Sequence, residues 1–306
     1  MAYAKRRSYS SRARRPIKRT ARRTPRRSYV KRRSTTRRRP MGKKQVLNLT
    51  SVKKRDNMLS YSQAGVTPTK GPLILTGNTV YPGLGAFICP WVATARDMDS
   101  ASGIPNTTLM ASNRTSSDCF MVGLKETIRI ETKSSLPWYW RRICFTFKGQ
   151  DLSDPNLLFI ETSSDGWSRL TRSLTHASST SDERSQAFRI MRAVFSGSWD
   201  RDYKSFITAK SNSRLVSVKY DKTVVINSGN DSGVSRIHRR WHPMRKNLVY
   251  ADRESGDTVA LANMSTEGKP GMGDYYVLDI FQPHDDAGPD DQLLFDPEAT
   301  LYWHER

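Results

Sequence analysis

Acidic residues are missing from the first 55 positions of this 306-residue chain, where 23 lysines and arginines stand. A segment so one-sided cannot form internal ion pairs and must find its counter-charge elsewhere. Cysteine is scarce. Cys89, Cys119 and Cys144 are odd in number and widely spaced, which excludes a disulfide framework and a C-x-x-C zinc site and fits buried thiols made in a reducing compartment. No apolar run approaches the ~18 residues that span a bilayer, and the N-terminus has no apolar core of a secretory signal. The phosphate-cradling loop G-x-x-x-x-G-K-[ST] and the nucleophile elbow G-x-S-x-G are both absent. Large aliphatic side chains are almost absent from residues 1–39, where only Ile17 and Val30 occur. Such a segment buries too little apolar surface to offset its ordering entropy, so it is expected to be disordered when free. Pro16, Pro25 and Pro40 interrupt any long helix.

What is present is a sharp division of charge. The chain has 51 basic and 29 acidic residues, yet from Asp56 onward 28 basic residues face 29 acidic ones, a net of −1. The positive charge belongs to an appended arm, residues 1–44, and not to the body, residues 45–306. Arginine outnumbers lysine fifteen to three in residues 1–39, and its planar fork of donors suits phosphate and stacks on bases. The predicted nucleic-acid-binding residues are Arg6, Arg7, Arg12, Arg14, Arg15, Lys18, Arg19, Arg22, Arg23, Arg26, Arg27, Lys31, Arg32, Arg33, Arg37, Arg38 and Arg39, continued by Lys43, Lys44, Lys53, Lys54 and Arg55. Tyr3, Tyr9 and Tyr29 add rings that suit unpaired bases. Binding of this kind is independent of sequence and steeply dependent on salt, because it works by counterion release. Lys5, Arg6 and Arg7, Lys31 to Arg33, and Arg37 to Arg39 also form short basic clusters of the nuclear-import type. A mitochondrial transit peptide would carry an amphipathic apolar stripe, which is missing.

The body reads as all-β. Segments rich in Val, Ile, Thr, Tyr, Phe and Trp recur at Gln45–Thr50, Ala86–Thr94, Phe120–Glu131, Trp138–Phe147, Leu157–Thr162, Tyr203–Lys210, Leu215–Ile226, Asn247–Ala251, Asp274–Phe281 and Ala299–His304. Thr127 to Thr132 and Leu215 to Tyr220 alternate with period two. Turn signals separate the segments, as at Asn227 to Asn230 and Gly268 to Gly271. One helix is expected over Ser181–Val194, with Asp182 and Glu183 early and Arg189 and Arg192 late, as the macrodipole favours. Many short strands with long connections predict a two-sheet antiparallel sandwich or jelly roll.

Catalytic and metal signatures are weak, and none is assigned, nor any cofactor. His238 and His242 stand four apart, but Pro243 follows and no carboxylate or cysteine pair lies beside them in sequence. Asp285, Asp286, Asp290 and Asp291 flank Gly288-Pro289; the spacing fits no EF-hand, and a solvated loop is the expectation, with cation binding or pairing to a neighbouring subunit as alternatives. Trp138, Tyr139 and Trp140, followed by Arg141 and Arg142, read as core or interface ahead of a base-stacking platform.

Several strings resemble the capsid proteins of genomoviruses, the gemycircularvirus group of small circular single-stranded DNA viruses. They are Arg37-Arg38-Arg39-Pro40-Met41, Leu47 to Ser51 and Lys53 to Asp56, then Pro137 to Phe145. Towards the C-terminus they are Val218 to Thr223, Trp241-His242-Pro243-Met244, Lys246 to Tyr250, Gly268 to Val277 and Ala299 to Glu305. The resemblance spans essentially the whole chain. It implies an eight-stranded jelly-roll shell domain, a closed icosahedral shell of sixty copies, packaging of viral single-stranded DNA, contact with host import receptors, and residence in the virion and the host nucleus, with no membrane and no enzymatic site. Sixty copies of the first 55 residues then carry about +1,400, comparable with the phosphates of a genome of one to a few kilobases. The alternative is a non-viral nucleic-acid-binding protein of ribosomal or chromatin type, which predicts basic surface extending over the body. A nuclear enzyme would need paired histidines or clustered carboxylates around a metal.

Overall fold

The computed structural model describes residues 41–63, 67–149, 152 and 154–305. Contacts along the chain divide it between Lys43 and Lys44. In chain order the elements are α1 (Lys43–Thr50), β1 (Val52–Met58), β2 (Ser60–Ser62), β3 (Thr69–Lys70), β4 (Leu73–Thr76), β5 (Phe87–Val92), β6 (Asp118–Thr132) and β7 (Trp138–Phe147). Then follow α2 (Pro155–Leu158), β8 (Ile160–Thr162), β9 (Gly166–Thr171), α3 (Ser181–Val194), β10 (Ser217–Ile226), β11 (Ser235–Val249), β12 (Arg253–Ser255), β13 (Thr258–Ala260), β14 (Asp274–Pro283) and β15 (Gln292–Glu305). The fold is mostly β, and its two main sheets are antiparallel throughout.

The first sheet runs β1-β15-β6-β11, with β4 beside the start of β15; the second runs β10-β7-β14-β5. Strand β15 alternates strictly. Leu293, Phe295, Pro297, Ala299, Leu301, Trp303 and Glu305 point inward and are buried, while the residues between them face out, as the period-two pleat demands. Pro297 can donate no ladder bond. It falls between the stretch of β15 that pairs with β4 and the stretch that pairs with β1.

Two buried clusters join the sheets face to face. One gathers Met121, Leu124, Leu248, Leu301 and Trp303 of the first sheet with Trp91, Cys144, Tyr275 and Val277 of the second. The other gathers Ile128, Ile130, Leu293 and Phe295 with Phe87, Trp138, Trp140 and Phe281. The far side of the second sheet is covered as well. Ile88, Ile143, Phe145, Tyr276, Leu278 and Ile280 pack there with Ala187, Ile190, Met191 and Val194 of α3. A capping box starts that helix: the Thr180 side chain accepts from the Glu183 N–H, and the Glu183 carboxylate accepts from the Thr180 N–H. Strands β5, β7 and β14 of the second sheet are thus buried on both faces and its edge strand β10 is largely exposed, whereas the outer face of the first sheet stays open. That asymmetry positions the candidate site.

The observed elements match the sequence reading at Trp138–Phe147 and Ser181–Val194 and lie close to it for β5, β6, β10 and β14. Three segments differ. Gln45–Thr50 reads as a strand and is helical, since Lys, Gln and Leu are good helix formers and no sheet neighbour claims them. Leu157–Thr162 divides into the end of α2 and the short β8. Tyr203–Lys210 forms turns; its carbonyls at Phe206, Ile207 and Ala209 accept from the Arg141 guanidinium, and Tyr203 and Phe206 pack on Phe195. A charged side chain replaces the ladder there.

Candidate nucleic-acid interface

Strand β1 separates three consecutive basic residues by pleat alone. Lys53 and Arg55 lie on the exposed outer face, and Lys54 points into the sandwich. The Lys54 ammonium is buried against Glu305 at 3.1 Å and donates to the Asn113 carbonyl and to Thr115 Oγ1. Its sequence neighbours mark Lys54 as a DNA-binding residue, but its charge is spent inside the body, and that assignment is corrected. Ala substitution of Lys53 and Arg55 together is expected to make the log-affinity against log-salt slope for single-stranded DNA shallower by about 1.4, or about 0.7 for each phosphate that is no longer neutralised. Lys54→Ala is expected to lower the melting temperature and leave that slope unchanged. Fluorescence anisotropy titrations at several salt concentrations, with thermal unfolding in parallel, check both.

Sheet register extends the outer face around Lys53 and Arg55. Lys53 pairs with His304 and Arg55 with Tyr302 on β15. His304 and Tyr302 pair in turn with Phe120 and Gly123 on β6, and Gly123 and Lys125 with Pro243 and Trp241 on β11. Four rings therefore share one face. Trp241 meets Tyr302 edge-on with centroids 5.8 Å apart, and Phe120 lies 6.1 Å from His304. Trp241 is 48% exposed and Phe120 40%. Burial and the neighbouring Lys53 ammonium hold His304 below the ordinary histidine value.

Gly123 makes room for this arrangement. A Cβ there would stand 2.6 Å from Trp241 Cζ2 and 2.7 Å from the His242 carbonyl oxygen, so only glycine lets the indole lie down on the sheet. Both flanking strands are irregular beside it: the β6–β15 register shifts next to Tyr302 and Trp303, and the β6–β11 register shifts between Pro243 and Lys246. Arg245 within the second irregularity has φ of 49°, a left-handed conformation unusual for arginine. Bulges of this kind re-aim side chains.

Charge follows the rings. Among the described residues no carboxylate pairs with Lys53, Arg55, Lys125 or Arg239. Strand β11 carries Arg236, Arg239, Arg240, Arg245 and Lys246 and no acid. At the far end of the face the charge is balanced, since Arg129 is held by Glu131 and Asp296 at 3.3 and 3.0 Å, and Glu298 is exposed. The net of −1 from Asp56 onward therefore conceals a basic face, to which Lys53 and Arg55 add, offset by acids elsewhere, including the exposed Asp285, Asp286 and Asp290. Counting charge along the sequence misses this; the acid-free run Arg236 to Lys246 is the available signal.

The arm residues Lys5 to Arg39, with their DNA-binding and import roles, lie outside the described residues. Lys43 and Lys44 open α1. Trp138 and Trp140 are buried between the sheets, the core reading, and Tyr139 is at the surface. His242 is buried 3.5 Å from Glu126, and His238 packs edge-on against Trp140. The three cysteines are free and buried, and burial raises all three thiols well above the ordinary value. Among the described residues no group of three or more His, Cys, Asp or Glu is placed to hold a metal ion, and no helix is long and apolar enough to cross a membrane. No protein-family profile and no curated protein sequence matches the chain.

Proposed function

We propose that this protein is the structural subunit of a small icosahedral virus shell and that it packages circular single-stranded DNA through its basic arm. The observation that carries the proposal is the division of charge: 23 basic residues and no acid in the first 55 positions, ahead of a β-sandwich body at −1. An enzyme or a monomeric binding protein has no need of that division. A shell subunit has, because its body must tile with copies of itself while its arm neutralises the enclosed polyanion.

Strand pairing supports an eight-stranded jelly roll. Set the short β4 aside and take β1, β5, β6, β7, β10, β11, β14 and β15 as first to eighth. The antiparallel pairs join first to eighth, second to seventh, third to sixth and fourth to fifth. That nesting is what a long hairpin acquires when it rolls into two sheets, and it is the interlocked Greek-key order of jelly rolls. The sequence resemblance to genomovirus capsid proteins points the same way, and with it come a sixty-subunit shell, import into the host nucleus and no catalytic role.

A basic face on the body, with β11 lacking acids, is the feature that a ribosomal or chromatin-type binding protein would also have. The two differ in assembly. The test is electron microscopy of the purified full chain: closed uniform particles support the shell subunit, and a persistent monomer favours the alternative.

A further inference from the structure

We infer that the outer face of the first sheet is a second nucleic-acid site, in which Trp241 and Tyr302, flanked by Arg55 and Lys125, stack on unpaired bases. The inference rests on the packaging function proposed above and adds to it a preference for single strands located on the body rather than on the arm.

The rings are the first observation. Of the seven tryptophans, Trp91, Trp138, Trp140, Trp167 and Trp303 are buried and Trp199 is partly buried, whereas Trp241 is 48% exposed. Leaving an indole in water forgoes the stabilisation its burial would bring. The structure nevertheless clears a place for it: Gly123 removes the Cβ beneath the ring, and Tyr302 fixes it edge-on at 5.8 Å. A ring fixed in this way loses little rotamer freedom when a flat partner lands on it.

Charge selects the partner. Lys125 pairs in register with Trp241, and Arg55 with Tyr302, so ammonium and guanidinium groups border the rings, and no described carboxylate neutralises them. The ligand must therefore offer flat apolar faces and negative charge together at a spacing of a few ångströms. Unpaired nucleotides do so, since every base has a π-face and every linkage a phosphate. A duplex keeps its bases stacked inside and offers only its backbone. A second copy of this chain could bring the acidic 285–291 loop, but that segment has no aromatic residue to meet the rings.

The test uses the full chain and two probes of equal length, oligothymidylate and an abasic phosphodiester oligomer that keeps the phosphates and lacks the bases. Phosphate contacts in the arm treat the two alike, and any stacking by Tyr3, Tyr9 and Tyr29 is unaffected by substitution of Trp241. The expected result is at least about tenfold tighter binding of oligothymidylate, with quenching of tryptophan fluorescence that the abasic oligomer does not produce. Trp241→Ala is expected to abolish the quenching and reduce the preference to near unity, and Trp241→Phe to restore most of the preference. Equal affinity of the unaltered chain for both probes overturns the inference and leaves packaging by the arm standing. If neither probe binds, the packaging proposal fails with it. A preference that survives Trp241→Ala, or a change in oligomeric state as the sole effect of that variant, also overturns it and makes the face an interface between copies.

Discussion

Deletion of residues 1–39 is expected to lower the affinity for single-stranded DNA by at least about a thousandfold at moderate salt, because it removes 18 of the 23 leading basic residues. Each phosphate neutralised on a single strand contributes about 0.7 to the slope of log affinity against log salt, so the truncated chain should also show a much shallower slope. Its binding should fall to what the basic face supplies. The body should keep its melting temperature, since the sandwich closes its core with residues from Met58 to Trp303. Salt-series binding titrations and nuclease protection of co-purified DNA measure the two effects. A truncated protein that still protects a full-length genome would remove the arm from the packaging role.

The second large effect lies between the sheets. Asp279 accepts from Arg142 through both carboxylate oxygens, at 2.7 and 2.8 Å, and from Arg169 and the Trp140 indole at 3.0 and 2.8 Å. Glu126, on the facing sheet, accepts from Arg142 at 2.6 Å and lies 3.5 Å from His242. Arg169 stacks over Trp91 at 4.1 Å. Two guanidiniums and two carboxylates thus balance in a fully buried cluster. Removing one member leaves an uncompensated charge in a low dielectric, and Asp279→Ala is expected to destabilise the body by about 3–5 kcal/mol. For a domain this size that corresponds to a fall in melting temperature of about 6–20 °C. Replacing all four charged residues together by apolar ones of matched volume should cost less than Asp279→Ala alone, because no buried charge is left uncompensated, although the Trp140 indole N–H and His242 lose a partner.

The same cluster sets a pH dependence. Burial opposes ionisation of Glu126, but Arg142, His242 and Arg169 outweigh it and hold the carboxyl at about 2, below its ordinary 4.5. The contribution of Glu126 is therefore present above pH 4.5 and is lost as the pH falls from there towards 2. Asp274 has the opposite sign. Burial raises it from 3.8 to about 6 despite hydrogen bonds from Ser265 and Thr94, so the folded protein binds its proton more tightly, and stability falls as pH rises through that interval. Thermal unfolding of the body should give a maximum near about pH 4, where the two intervals overlap, and Asp274→Asn should flatten the profile above it.

Much of this is legible in the residues, and the exceptions have physical causes. Trp138–Phe147 and Asp274–Phe281 announce themselves because both faces of their sheet are buried, which gives near-continuous apolar runs. Ser181–Val194 carries its cap and its charge bias in sequence. Strand β1 is hidden because Lys53, Lys54 and Arg55 read as one basic cluster, although the pleat sends the middle one inward. Strand β11 is hidden for a related reason. As an exposed edge strand it holds five basic residues and few apolar ones, and only its last residues read as strand. The charge balance of the body is legible as a sum and not as a distribution. The basic face and its rings come from β1, β6, β11 and β15, which lie far apart in the chain, and register alone assembles them. Buried partners such as Glu126 and Asp279 look like ordinary surface acids until the two sheets close over them.

Electron microscopy of the full chain, treated with nuclease and kept in moderate salt, tests the central proposal most directly. A shell subunit yields uniform small isometric particles that retain nuclease-resistant single-stranded DNA. Soluble monomers, or irregular aggregates that nuclease disperses, would contradict self-assembly and leave a nucleic-acid-binding protein of the ribosomal or chromatin kind.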